Sequence, residues 1–272
     1  MGVVRTPPES LGQPVPAAKS DIAREFGKAS GTYDQASRLQ RLMGEAMLAR
    51  LAQQNVAPRT ILDLGCGTGW FTRELHKRFP EAYIVGVDLS PGMIEKARSS
   101  SPESIQWLTA DAETLPFLPD SFDLIFSNLM IQWCQHPGTV LAQCRRLLRP
   151  EGRLASSTLL DGTLRELKQA WSVADPGQPH VNRFEYCEAW RRLSDDVLPG
   201  SEAVTETIRL PYDSPMALTR ELKLLGAGFK GGERRKSITG PKRLKAMCLA
   251  YPRSNTGGCT ASYVAGWTYW RS

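Results

Sequence analysis

Three acidic residues each follow a short apolar run in the first half of this chain, and a glycine loop stands between the first and the second. The stretch "TILDLGCGTGW" puts Gly65, Gly67 and Gly69 where an apolar strand should turn into a helix. Glycines at such a turn let the backbone approach a ligand closely, and the helix amino terminus behind them offers unpaired N–H groups to anionic oxygens. The spacing is G-x-G-x-G. The third glycine of the dinucleotide fingerprint would fall at Trp70, too bulky for the packing that glycine serves, so a nicotinamide dinucleotide is disfavoured. Asp88 ends the second run about 20 residues on, where a carboxylate can accept from both hydroxyls of a ribose. Asp111, in "TADAETLPF", ends the third and can accept from the amino group of an adenine. Singly, Asp63, Asp88 and Asp111 could be caps or local partners, and the glycines plain turn residues. In this order, at the carboxyl ends of successive parallel strands, they point to one nucleoside site.

The elements that must carry these residues are legible from the period. "TILDLG", "AYIVGVDLS", "SIQWLTAD", "FDLIFSN" and "GRLASSTLL" are short, nearly continuous apolar runs separated by helical stretches, with Pro91 in the first turn of one of them. That alternation implies parallel strands buried on both faces. Ahead of them, Asp21 to Gln54 carries Leu39, Leu42, Met43, Met47, Leu48 and Leu51 at helical spacing, with a break near Gly31 and Thr32. After Leu160, "TLRELKQAWSVA", "RFEYCEAWRRLSDDVL", "SPMALTRELKLLGAG" and "GPKRLKAMCLAY" read as helices, and "AVTETIRLPYD" and "CTASYVAGWTYW" as strands. The expected division is a disordered arm over 1–20, a helical cap over 21–56, a nucleoside-binding core over 57–160, and further cap helices with completion of the sheet over 161–272.

Composition narrows the class. The 272 residues hold 34 Lys and Arg against 28 Asp and Glu, a formal charge of +6, clustered in "CRRLLRP", "WRRL", "ERRK" and "PKRLK". An anionic partner follows. Nucleic acid is not expected, since no aromatic-interleaved basic stretch, helix-turn-helix or zinc pattern accompanies the charge. No apolar run approaches the ~20 residues that cross a bilayer, so no membrane partner is expected. Six scattered cysteines without a C-x-x-C pair or a histidine at metal spacing read as free thiols in a reducing cytoplasm, with no metal. "MGVVRTPPESLGQPVPAAKS" lacks the apolar centre of a signal peptide and reads as a disordered lead-in.

With "ILDLGCGTG", "VGVDLSPGMIEKAR", "ADAETLPF" and "FDLIFSNLMIQW" in hand, the segment from about Thr60 to Leu160 resembles the S-adenosylmethionine-dependent methyltransferases of the Rossmann-like class I fold. "FGKASGTYDQASRLQRLMGEAML", "QPHVNRF", "LPYDSPMALTRELKLLGAG" and "SITGPKRLKAM" extend the likeness to the malonyl-[acyl-carrier-protein] O-methyltransferases of biotin synthesis, over about Asp21 to Tyr263. The resemblance implies an α/β fold with a mostly parallel seven-stranded sheet, helices on both faces and a helical cap over the cleft. It implies S-adenosyl-L-methionine as cofactor and S-adenosyl-L-homocysteine as product. Gly65, Gly67 and Gly69, with Asp63 on the strand before them, would serve the methionine part, Asp88 the ribose, and Asp111 and Ala112 the adenine. Leu89 and Met93 would wall the base, and Asn128 would flank the cofactor. The closing stretch "LAYPRSNTGGCTASYVAGWTYWRS" is less like the family, and Trp267, Tyr269 and Trp270 receive no role from it.

The implied reaction is a single displacement that turns the free carboxylate of a malonyl thioester, on an acyl carrier protein or coenzyme A, into its methyl ester. A carboxylate is already ionised near neutral pH, so no acid or base residue is required. Tyr33, Gln132 and Trp133 are expected to roof and wall the acceptor pocket. Arg183, in "GQPHVNRFEYC", has the planar fork that clamps a carboxylate with two parallel hydrogen bonds, or else opens the helix "RFEYCEAWRRL". His180 is at least as well suited to holding the loop. Carrier proteins are acidic, and Arg145, Arg146 and Arg149, or Lys242, Arg243 and Lys245, are the candidate docking clusters. Two alternatives stay open: a methyltransferase acting on another small acid or natural product, and a cofactor-binding protein without transfer activity.

Overall fold

The computed structural model describes residues 18–228, 240–253 and 258–272. Most of the expected amino-terminal arm and part of "SITGPKRLKAM" lie outside the described residues. Seven strands form one sheet: β1 Thr60–Leu64, β2 Tyr83–Asp88, β3 Gln106–Thr109, β4 Phe122–Asn128, β5 Leu148–Leu160, β6 Glu202–Tyr212 and β7 Cys259–Arg271. Their order is β3-β2-β1-β4-β5-β7-β6. The first five are parallel, and β7 runs antiparallel between β5 and β6. The expected class is therefore observed.

The helices are α1 Lys19–Ala29, α2 Tyr33–Ala36, α3 Arg38–Gln53, α4 Trp70–Arg78, α5 Pro91–Ser99, α6 Pro137–Leu147, α7 Arg165–Ala174, α8 Cys187–Val197, α9 Pro215–Leu224 and α10 Pro241–Ala250. Two apolar layers sandwich the sheet. On one face Met43, Met47 and Leu51 of α3 pack with Leu75 and with α7, α9 and α10. On the other, Val140, Leu141 and Cys144 of α6 pack with Trp190 of α8. The central strands are apolar on both faces because both faces are covered.

Two local readings change. The break near Gly31 and Thr32 is present, and a second one at Ser37 separates α2 from α3. The helix expected from Arg183 starts at Cys187, because Leu160 pairs with Glu185 as a parallel bridge and Asp161 N–H donates to Glu185 O at 2.8 Å, holding Arg183 to Tyr186 extended. The aromatic tail also acquires roles. Trp267 Nε1 donates to Met43 O at 3.2 Å, Trp270 Nε1 to Pro199 O at 3.0 Å, and the Arg50 guanidinium lies 4.6 Å from the Tyr269 ring centroid. These contacts pin a strand whose register is continuous from Cys259 to Tyr269 against β6.

Gly44 sits where α3 crosses Phe71 of α4, and a Cβ there would overlap the aromatic ring. In an exposed helix Gly→Ala gains about 1 kcal/mol. Here Gly44→Ala should instead destabilise by roughly 1–3 kcal/mol through overpacking, seen as a lower denaturation midpoint. A raised midpoint would contradict the crossing.

Candidate active site

At the carboxyl ends of β1 to β4 lies an open cleft, lined by residues of α1, the glycine loop and the segments that follow β2, β3 and β4. Its floor is the glycine loop. Gly65, Gly67 and Gly69 have φ of 77°, 54° and 76°, the left-handed region that favours glycine, and a Cβ on Gly65 would overlap Met130. Asp88 ties this loop to the next: its Oδ2 accepts from Gly67 N–H at 2.9 Å and its Oδ1 from Ser90 N–H at 2.8 Å. Burial raises the Asp88 carboxyl, although the N–H donors pull the other way.

Of the residues expected at the site, Tyr33, Gly65, Gly67, Asp88, Leu89, Met93, Asp111, Ala112, Asn128 and Trp133 line this cleft. Asp63 lines a smaller pocket beside it that shares Tyr33, Gly65, Gly67 and Asn128. Asn128 joins α3 to β5, with Nδ2 donating to Gln40 O at 2.9 Å and Oδ1 accepting from Ser157 Oγ at 2.7 Å. Gly69, Gln132 and Arg183 line neither space. Gly69 caps α4, and a Cβ there would press on Trp107 and Ala97. Gln132 is turned onto its own strand end, donating to Leu129 O at 2.7 Å. Arg183 is exposed on the loop before α8. His180 is a loop support: it stacks on Trp171 with centroids 3.8 Å apart and meets Asp175 at 2.9 Å.

Several residues of the site were not read from the sequence. Lys19, Ile22 and Phe26 of α1 face the cleft at i, i+3 and i+7. The spacing is present in the sequence, but Lys19 falls within the stretch expected to be a disordered arm. Lys19 Nζ reaches Asp111 Oδ2 at 2.6 Å and Glu113 Oε2 at 2.9 Å, while Glu113 Oε1 accepts from Gln135 and His136 N–H groups. Burial alone would raise the Asp111 and Glu113 carboxyls, but Lys19 and the N–H donors outweigh it and hold both below the ordinary range. Phe26 stands edge-on to Trp133 at 5.1 Å and to Tyr33 at 6.4 Å, an aromatic roof built from α1, α2 and the turn after β4.

The smaller pocket holds one cation and a buried acid. Arg41 lies 4.0 Å over the Trp70 ring and donates to Asp34 O at 2.7 Å, while its buried Nε has no hydrogen-bond partner. Arg41 with the acids Asp34 and Asp63 places opposite charges in one pocket, which suits a zwitterionic amino-acid end. Cys134 also lines the cleft. Burial and then the charges of Glu113 and Asp111 push its thiol up to about 12, so it is no thiolate at neutral pH. No cluster of three or more metal-ligating side chains occurs among the described residues. Nor, among them, is any helix long and apolar enough to cross a membrane.

Comparison with known proteins agrees with this geometry. Residues 62–156 match the family model described as "Methyltransferase domain". The malonyl-[acyl-carrier protein] O-methyltransferase of Hahella chejuensis is 39% identical over 251 residues, covering 91% of this chain and 88% of that protein. The protein of the same name from Methylococcus capsulatus is 38% identical over 239 residues, covering 85% of each. The biotin biosynthesis bifunctional protein BioHC of Cellvibrio japonicus is 40% identical over 247 residues, and this chain spans 48% of its length. Among solved structures, the YcgJ protein of Bacillus subtilis has a TM-score of 0.59 at 17% identity, covering 84% of this chain and 98% of that one.

Asp63 offers a test of the site's electrostatics. It is 2% exposed, and among the described residues its one hydrogen-bond donor is the Thr72 hydroxyl at 2.5 Å. Burial pushes its carboxyl up to about 7, against that hydroxyl and with the Asp88 charge adding. The folded chain thus holds this proton more tightly than the unfolded chain, whose value is 3.8, so Asp63 lowers stability progressively as pH rises from there to about 7. Thermal melts of the native chain and of Asp63→Asn at about pH 5 and about pH 8 should show the native chain losing ground to the variant at the higher pH. A difference independent of pH would contradict the burial of an uncompensated charge.

Proposed function

Because the chain belongs to the malonyl-[acyl-carrier protein] O-methyltransferase family, we propose that it methylates the free carboxylate of a malonyl group carried on an acyl carrier protein, in the cytoplasm, as a step of biotin synthesis. The observation that carries this reading is the extent of the likeness: identity near 39% runs over 91% of the chain, well beyond the 62–156 core, and so includes the cap segments that shape the acceptor pocket.

The donor set fits S-adenosylmethionine, which supplies a methyl group activated by a sulfonium and leaves as S-adenosylhomocysteine. Asp88 would hold the ribose hydroxyls, and Asp111 and Ala112 the adenine, whose amino group would share Asp111 with Lys19. Leu89 and Met93 would wall the base. Asp63 and Arg41 would take the ammonium and carboxylate of the methionine end. The roof of Phe26, Tyr33 and Trp133 would keep water from the reacting centre, and aromatic faces attract a cation.

The chain's own task is alignment and exclusion of water, worth up to about 7–11 kcal/mol, and not proton transfer. Lys19 is the one cationic side chain lining the main cleft among the described residues, and it is held by two carboxylates. The attacking oxygen therefore keeps its electron density. The Cys134 thiol, protonated at neutral pH, does not compete for the methyl group.

Arg183 is exposed two residues before the bridge to Leu160 at the carboxyl end of β5, and its role in this reading is to capture the incoming carboxylate. Arg183→Ala should raise the KM for a malonyl thioester severalfold with kcat and cofactor affinity nearly unchanged. A collapse of kcat at unchanged KM would put the guanidinium at the reacting carboxylate instead. The pathway is tested by expression in a strain that requires biotin because its own malonyl-carrier-protein methyltransferase is missing. Growth without biotin is expected, and failure of a folded, expressed chain to support it would overturn the reading.

A further inference from the structure

The two basic clusters lie at opposite ends of the sheet. Arg149 Nη1 pairs with Asp123 Oδ1 at 3.0 Å, and Asp123 Oδ2 accepts from the N–H groups of Arg59 and Thr60, so this cluster sits at the amino ends of β1, β4 and β5, away from the cleft. Its arginines are also spent on structure: Arg145 donates to Val197 O at 3.1 Å and Arg146 to Phe117 O at 2.9 Å.

The other cluster belongs to the cap. Residues 161–184 leave and return at the carboxyl end of β5, where Leu160 bridges Glu185, and α7 lies within this excursion. α10 packs against α7 and leads into β7, whose first residues lie at the same end of the sheet. Arg243 Nε meets Asp175 Oδ1 at 3.1 Å, fixing the start of α10 on the end of α7. The acids of the pair face inward: Asp175 is buried, and Glu166 accepts from both the hydroxyl and the N–H of Ser262. Lys168, Lys242 and Lys245 point to solvent, beside Val173 and Leu249, which are 66% and 69% exposed. The outer face of this helix pair thus offers cations and apolar side chains and no exposed acid.

We infer that the outer face of α7 and α10 docks the acidic body of the carrier protein, so that the arm bearing the malonyl group enters the cleft from the same end of the sheet. This inference rests on the proposed function. Opposite charge across such a contact acts mainly on the encounter rate and is screened by salt.

The test compares malonyl-carrier protein with malonyl-pantetheine, which has the same reacting group and no protein body. In low salt, Lys242→Glu combined with Lys245→Glu should lower kcat/KM for the carrier-protein substrate by about tenfold or more while changing that for malonyl-pantetheine less than about twofold. Lys77→Glu, on the end of α4 away from the cleft, should change neither. Equal kcat/KM of the double variant and the native chain on the carrier protein would overturn the docking face. A double variant that does not fold leaves a second measurement on the native chain. Rising salt should depress kcat/KM for the carrier protein and spare malonyl-pantetheine, and insensitivity of the former would overturn the inference. If the native chain methylates neither substrate, the proposed function fails and the docking face with it.

Discussion

One half-buried carboxylate at the lip of the cleft holds the working end of this protein together. Asp88 accepts from Gly67 N–H and Ser90 N–H at once, so the loop after β1 and the loop after β2 close on the same two oxygens. The glycine loop can reach it only because its glycines take positive φ, and Gly65 has no room for a side chain beneath Met130. Desolvation of Asp88 is only partly offset by these N–H donors and its carboxyl stays above the ordinary range, while Asp63 behind it, with the Thr72 hydroxyl as its donor, is pushed up to about 7. The same arrangement that strains Asp63 places a carboxylate at each of two strand ends, which is what a nucleoside bearing a cationic amino-acid tail requires.

The roof depends on a second constraint, close approach of backbones. Gly27 of α1 meets Gly92 of α5, where a Cβ on Gly92 would lie 3.0 Å from the Gly27 Cα, and a Cβ on Gly226 would lie 2.9 Å from Glu25 O. Thr32 Oγ1 adds a bond to Leu224 O at 2.8 Å. α1 is thereby laid across the cleft with Phe26 against Trp133, and Lys19 closes its far end on Asp111 and Glu113. Because Glu113 also holds the backbone of Gln135 and His136, roof and wall are set by one network.

The glycine loop, Asp88, Asp111 and the parallel strands of the core were legible because they follow from local period and from what parallel strands do at their carboxyl ends. Residues that reach the site across long sequence distance were not. Lys19 lies 92 residues from Asp111, and nothing in its neighbourhood announces the pairing. Arg41 sits in the first turn of α3, where an arginine is an ordinary helix residue until Trp70 and Asp34 are seen beside it. The helix expected to begin at Arg183 starts later for a local reason: the bridge at Glu185 outweighs the helical period of the segment and delays α8 to Cys187. The aromatic tail, without a role in sequence, is ordinary sheet and core packing.

The central claim is that this cleft directs an activated methyl group onto a malonyl carboxylate. Incubation of the chain with S-adenosylmethionine labelled in the methyl group and with malonyl-carrier protein tests it most directly. Label should appear on the carrier protein as a base-labile ester. Recovery of unmodified malonyl-carrier protein from a chain that binds the cofactor would contradict the account.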